Sequence, residues 1–156
     1  LNDLENKLNN FNIIEQHKIK KIYPSTINIK IKKTDIQAYF FENNKKIYLG
    51  KNGKKISENI DEKKNLPLIV GQIDAKNFLS LNKKLINYGF NLDDFSTFYF
   101  FKSNRWDLLY KDKFTIKLPK EGLDNSLILL KEIIENIDIN NVKVIDLRIE
   151  KTIILS

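Results

Sequence analysis

The residues able to do chemistry in this chain are few and scattered. His17 is the sole histidine, set between Gln16 and Lys18, and cysteine is absent. That excludes disulfides, thiolate metal sites and cysteine nucleophiles. A Ser-His-Asp relay needs its histidine aimed at an activated serine, and no G-x-S-x-G elbow is present. His17 therefore reads as a surface histidine. Metal binding needs histidines or clustered carboxylates at ligand spacing, and neither occurs. Asp93-Asp94 is an acidic pair near a turn, but adjacent side chains rarely enter one site, so capping is the expected role. Gly50-Lys51-Asn52-Gly53 lacks the Gly-Lys-Ser/Thr ending of a phosphate cradle and precedes a strand pattern, which makes it a hairpin turn. No catalytic residue, metal ligand or cofactor site is expected, and an enzyme is not the expected reading.

Two residue sets remain. The run Phe95, Phe98, Tyr99, Phe100, Phe101 has the ring density of a base-stacking platform. Few cations flank it, however, and Phe98 with Phe100 alternates as a core strand does. Arg105 and Arg148 are the only arginines among 27 basic residues. A guanidinium forks onto a carboxylate in a way that lysine does not. Each arginine suits either an internal ion pair, such as Arg148 with Asp146 or Glu150, or a partner's acid.

Length and composition bound what can position these groups. With 156 residues, 42% hydrophobic and 11% aromatic, the chain can build one ordinary core or two small ones. No apolar run reaches the roughly eighteen residues of a membrane helix. Methionine is absent, which implies a processed product or an excerpt of a longer protein. The net charge of +7 comes almost wholly from dispersed lysines. Readers of bases and phosphates favour arginine forks and clustered basic stripes, so solvated lysines are preferred over nucleic-acid binding.

The periodicities predict an α+β fold. Leu1, Leu4, Leu8 and Phe11 recur at helical spacing over 2–10. The period then changes to two, and Tyr23-Pro24-Ser25-Thr26 divides a hairpin whose Ile27, Ile29 and Ile31 are expected on a buried face. Short strands follow over 36–41, 46–49 and 54–56, turned at Asn43-Asn44 and Gly50–Gly53. After a lysine-rich loop comes an extended segment at Leu66–Gly71. A helix is expected over 75–88, capped by Asp74 and striped by Phe78, Leu81, Leu85 and Tyr88. Three strands, 95–101, 105–110 and 113–118, precede a second helix over 123–137 with Leu127, Leu130, Ile134 and Ile137 aligned. The chain closes on two strands, 142–148 and 151–155, hinged at Glu150-Lys151. Consecutive hairpins with intervening helices indicate an antiparallel sheet with two flanking helices. A terminal strand tends to lie at a sheet edge, where unpaired backbone groups can pair with another protein.

Taken together, these segments resemble a family. Tyr23-Pro24-Ser25-Thr26-Ile27-Asn28-Ile29 is similar to the element that ends a POTRA domain. Ile36-Gln37-Ala38-Tyr39, Tyr48 to Lys54, Leu66 to Gly71, Arg105-Trp106-Asp107-Leu108 and Val144-Ile145-Asp146-Leu147-Arg148 resemble successive motifs of the FtsQ/DivIB family of bacterial cell-division proteins. The match is collinear over essentially the whole chain. Three departures stand out. Gly50 replaces the family's usual Asp, only Arg105 adjoins Trp106 where the family often has arginines shortly before, and the usual aromatic near the end of the last strand is missing.

The resemblance implies a partial POTRA domain over 1–35, its first strand and helix absent, followed by a β domain over 36–156. It implies a non-enzymatic, single-pass inner-membrane protein at the division site. The anchor would lie outside this chain, which would sit on the periplasmic side. The implied role is to link divisome proteins, with FtsB and FtsL added as a strand at the C-terminal edge and other division proteins meeting the POTRA part. The partner-binding residues so implied are Arg148, Ile149, Lys151, Thr152, Ile153, Ile154 and Leu155, with Arg105 and Trp106 as a possible secondary contact. A POTRA scaffold of another envelope-assembly system, a basic α+β nucleic-acid-binding domain and a hydrolase with an unrecognised site are the alternatives.

Overall fold

The computed structural model describes all residues except 1, 59, 61–64, 73, 137, 140, 150 and 151. Its contacts divide into two compact units, Leu1–Asp61 and Glu62–Ser156. These units are defined by packing. The division at 35/36 rests instead on sequence resemblance.

The first unit opens with helix α1 (Asn2–Asn9), which carries Asp3 and Glu5 in its first turn, where the helix dipole favours them. Strands β1 (Ile14–Ile22) and β2 (Thr26–Lys33) then form an antiparallel ribbon with Ile19 opposite Ile29 and His17 opposite Ile31. The expected buried face is not realised. Every residue of β2 is exposed, including Ile27, Ile29 and Ile31. The physical reason is that β1 and β2 make a sheet of their own, only two strands wide. Such a ribbon has no second layer unless other elements supply one.

Strands β3 (Ile36–Glu42), β4 (Lys45–Gly50) and β5 (Lys55–Ile56) form an antiparallel meander. Asn43 and Asn44 turn the first hairpin with φ of 50° and 60°, the left-handed pair that matches strand twist. Ile36, Ala38, Phe40, Ile47, Leu49 and Ile56 are its buried hydrophobic side chains. Asn52 organises the next turn: its N–H donates to Thr34 Oγ1 at 3.2 Å and its Oδ1 accepts from the Lys54 N–H at 3.1 Å. A Cβ on Gly50 would meet Asn52 Oδ1 at 2.5 Å and Thr34 Cγ2 at 2.7 Å. The departure from Asp at this position thus has a steric counterpart.

The second unit contains β6 (Leu68–Gly71), α2 (Ala75–Asn87), β7 (Phe95–Phe101), β8 (Arg105–Tyr110), β9 (Phe114–Lys117), α3 (Leu123–Asn136), β10 (Val144–Asp146) and β11 (Ile154–Leu155). Their order in the sheet is β11-β10-β9-β8-β7-β6. The architecture is α+β, as expected, with a refinement of strand direction. The β7/β8, β8/β9 and β10/β11 pairs are antiparallel, whereas β6/β7 and β9/β10 are parallel. Each parallel pair is separated in sequence by a helix, which carries the chain back to the starting end.

Helix α2 begins where Asp74 Oδ1 accepts the Lys76 N–H at 2.9 Å and ends before Gly89, whose φ is +79°. It buries Phe78, Leu81, Asn82 and Leu85, while α3 buries Leu127, Leu130 and Ile133. Ile133 stands where Ile134 was expected on the stripe, and Ile137 lies outside the described residues. Lys84 Nζ donates to Asp124 Oδ2 at 2.7 Å, and Tyr88 Oη donates to Asp124 Oδ1 at 3.1 Å, joining α2 to the start of α3. The aromatic run is core at Phe95 and Phe98, whereas Phe100 is half-buried and Tyr99 and Phe101 are exposed. Phe98 meets Phe78 at 5.2 Å and Trp106 at 6.2 Å between ring centroids, and Phe95 meets Tyr110 at 5.4 Å.

Candidate docking edge

Strand β11 stands at the end of the sheet order. It pairs Leu155 with Ile145 and Ile154 with Asp146. Ser156 N–H donates to Val144 O at 3.2 Å, and Val144 N–H donates to Ser156 O at 2.9 Å. In an antiparallel ladder such mutual pairs alternate with pairs that make no hydrogen bond. The Leu155 N–H and C=O therefore point away from β10, along the open side of the strand. Ile154 is 46% exposed and Leu155 is 41% exposed.

The strand is shorter than its sequence suggested. Thr152 N–H donates to Ile149 O at 3.1 Å, a turn bond that withdraws this donor from any ladder. Ile153 is half-buried, Thr152 is exposed, and neither is part of a strand. The hinge at Glu150-Lys151, and with it the Lys151 position, lies outside the described residues.

Arg148 forms the internal pair that was one of its two expected roles. Its Nε donates to both oxygens of Asp146, at 2.8 and 3.0 Å, its Nη2 donates to Oδ2, and its backbone N–H donates to Oδ1 at 3.1 Å. The side chain nevertheless keeps 40% of its surface. These bonds from Arg148 are the main reason that the Asp146 carboxyl is held below the usual range, and Asp146 in turn raises Arg148.

A charged row crosses the sheet beside this fork. Asp107 on β8 faces Lys117 on β9, and Lys117 faces Asp146 on β10. The neighbouring row, Leu108, Ile116 and Ile145, is fully buried on the opposite face. Burial pushes the Asp107 carboxyl up, against the pull of Arg105, Lys117 and Arg148. Arg105 Nε lies 3.4 Å from Asp107 Oδ1, and the guanidinium carbon lies 4.6 Å from the Phe101 ring centroid. Neither Arg105 Nε nor Asp107 Oδ1 has a well-aligned hydrogen bond. The two arginines thus act on one carboxyl that the residue types alone did not single out. The one available signal was an Asp between Trp106 and Leu108 in an otherwise apolar strand. Trp106 itself is 7% exposed and belongs to the core, unlike its neighbour Arg105.

Beyond β10, a groove of about 780 Å³ is lined by residues of α3 and by described residues that follow the strand. Its walls include Ile128, Leu129 and Glu132 on one side, and Leu147, Ile149 and Thr152 on the other. Ile128 is 47% exposed and Ile149 is 57% exposed. Ile128 falls off the α3 core stripe, which is why the helix pattern did not bring it forward.

His17 is half-buried on β1 opposite Ile31. Asp94 accepts from the Tyr110 hydroxyl at 3.2 Å and lies 3.4 Å from Lys111 Nζ. No cluster of three or more His, Cys, Asp or Glu suited to a metal ion occurs among the described residues.

Comparison with known proteins bears on the same segments. Residues 38–148 match the family model "Cell division protein FtsQ/DivIB, C-terminal". The Cell division protein FtsQ of Rickettsia bellii (strain RML369-C) is 28% identical over 127 residues. That alignment takes in 81% of this chain but 48% of the relative, so the chain spans about half the length of that curated relative. The major extracytoplasmic domain of DivIB from Geobacillus stearothermophilus, solved as its trans isomer, superposes with a TM-score of 0.44 at 14% identity. The superposition covers 69% of this chain and 99% of that one. With the family model matching well over half of its length, the chain belongs to the FtsQ/DivIB family of cell-division proteins.

Proposed function

We propose that this chain is a non-enzymatic divisome scaffold that binds FtsB and FtsL by strand addition along β11. In this reading residues 1–35 are the end of a POTRA domain that meets other division proteins, and residues 36–156 are the β domain. The whole protein would be a single-pass inner-membrane protein with this part on the periplasmic side of the division site. No helix among the described residues is long and apolar enough to cross a membrane, so the anchor would lie elsewhere.

The observation that carries the reading is the open side of β11, where the Leu155 N–H and C=O face away from β10. A partner strand there gains main-chain hydrogen bonds, and the alternation of Ile154 and Leu155 fixes its register. The Arg148 guanidinium beside Ile154's partner Asp146 is the polar contact, able to share itself with an acid of the incoming strand. Ile149, Thr152 and Ile153 flank the same edge. Lys151 belongs to the proposal by sequence position alone, and Arg105 is a secondary contact.

Magnitudes limit how much the edge does alone. Two to four net hydrogen bonds at about 0.5–1.5 kcal/mol each are small against the roughly 4–15 kcal/mol cost of association. Micromolar binding needs about −8 kcal/mol net, so side-chain contacts must add to the backbone pairing.

The test is a pull-down with the FtsB homologue of the same genome. Arg148→Glu and Ile153→Pro are each expected to reduce capture at least tenfold while circular dichroism shows both still folded. Arg148→Glu should cost about 1–3 kcal/mol, because Asp146, whose side chain keeps only 13% of its surface, loses its charged donor. Undiminished capture by both well-folded variants would refute the edge.

A further inference from the structure

We infer that the groove lined by Ile128 and Leu129 of α3 and by Leu147, Ile149 and Thr152 receives a large apolar side chain from the same protein that pairs with β11. This rests on the edge reading and adds a second, chemically different contact to it.

Three observations converge. First, β11 comprises only Ile154 and Leu155, so backbone pairing alone is too short to hold a partner. Second, the groove begins where the strand's own lead-in lies. Thr152, two residues before β11, lines it and is tied back to Ile149 by the 3.1 Å turn bond. A strand laid along β11 reaches this mouth within one or two residues, at about 3.3 Å per residue. Third, the walls are aliphatic: Ile128 and Ile149 are both substantially exposed, and Leu147 is buried behind them. Aliphatic side chains flanking a concavity are the arrangement in which anchor residues of a partner are buried and water is excluded.

The rim selects against a charged occupant. Glu121 and Glu132 face only Lys120 around the opening, because Arg148 is already bound by Asp146. An acidic side chain would lose its water facing an excess of carboxylates, and a basic one would trade its water for carboxylates that stay solvated at the exposed rim. The expected occupant is a Leu, Ile or Phe placed one or two residues beyond the paired stretch of the partner strand.

The experiment uses the full chain and the extracytoplasmic segment of the same genome's FtsB homologue, titrated by calorimetry. Hydrogen exchange of the Leu155 amide is followed in the saturated complex. Ile128→Gln keeps a good helix former on an exposed site of α3, so its melt should match that of the parent. Its affinity is expected to fall about tenfold, with the Leu155 amide still protected at saturation. An Ile128→Gln affinity within twofold of the parent, with that protection intact, would overturn the groove and leave the edge standing. An unprotected Leu155 amide, or no binding by the parent chain, would overturn the edge and this inference with it. Concentration-dependent dimerisation that Ile128→Gln abolishes would assign the groove to a second copy of this chain instead.

Discussion

Asp107 and Asp146 lie two strands apart on one face of the sheet, linked through Lys117, and titrate in opposite directions. Asp146 is lowered by the bonds it accepts from Arg148. Its contribution to stability is present above the unfolded carboxylate value near about 3.9 and is lost as pH falls through the folded value beneath it. Asp107 is raised by burial, so its sign reverses. The folded state is favoured while both states carry the proton, and stability is lost as pH rises from about 3.9 through the folded value. Asp107→Asn removes the desolvated charge but keeps a carbonyl oxygen for Arg105. We expect its melting temperature to lack that mildly acidic decline and to be no lower than the parent's at pH 7, read by circular dichroism across the acidic range. A steeper decline in the variant would mean that the Arg105 contact outweighs burial. Arg105 and Arg148 were legible as exceptional residues in the sequence. Their common carboxyl was not, because it depends on the register of three strands.

At the scale of elements, termini and turns were the most readable features. Asp74, Gly89 and Asn43-Asn44 each carry their structural role in their own chemistry. Strand direction was less readable, since an antiparallel and a parallel neighbour bury the same alternation of residues. Only the helix lying between them distinguishes β9/β10 from a hairpin. Burial of β2 was misjudged for a related reason: alternating Ile and Lys states which face is apolar but not whether another layer covers it. Gly71 shows how local such constraints become. Its φ is +116°, and a Cβ there would approach the Phe100 carbonyl oxygen to 2.2 Å. Gly71→Ala should therefore cost roughly 2–4 kcal/mol in a denaturant melt, since left-handed strain and backbone displacement combine. Asp74→Ala removes one cap bond and should cost only about 1 kcal/mol. Equal losses for the two would show that β6 yields more easily than its close approach to β7 implies.

For the whole molecule, the excess charge of +7 is spread rather than aimed. Lysines meet separate acids across the chain: Lys32 with Glu15, Lys55 with Glu42, Lys84 with Asp124, Lys131 with Glu135. Both arginines are engaged with aspartates. Nucleic acid should consequently bind only through weak counterion release. Filter binding is expected to show micromolar or weaker affinity at 50 mM salt and little retention at 200 mM. Nanomolar affinity at the higher salt would contradict the scaffold reading.

The parallel joining of β10 to β9 has a consequence for when the edge can exist. β11 hangs on β10, and β10 is placed only after the chain has travelled out through α3 and returned beside β9. Closing that non-local loop is entropically slower than forming the local hairpins of β7, β8 and β9. The β11 surface is therefore expected to form after those hairpins. A chain whose α3 has not yet docked has no β10 in place to present it, so a partner that docks on β11, as proposed, would meet only molecules that have finished folding.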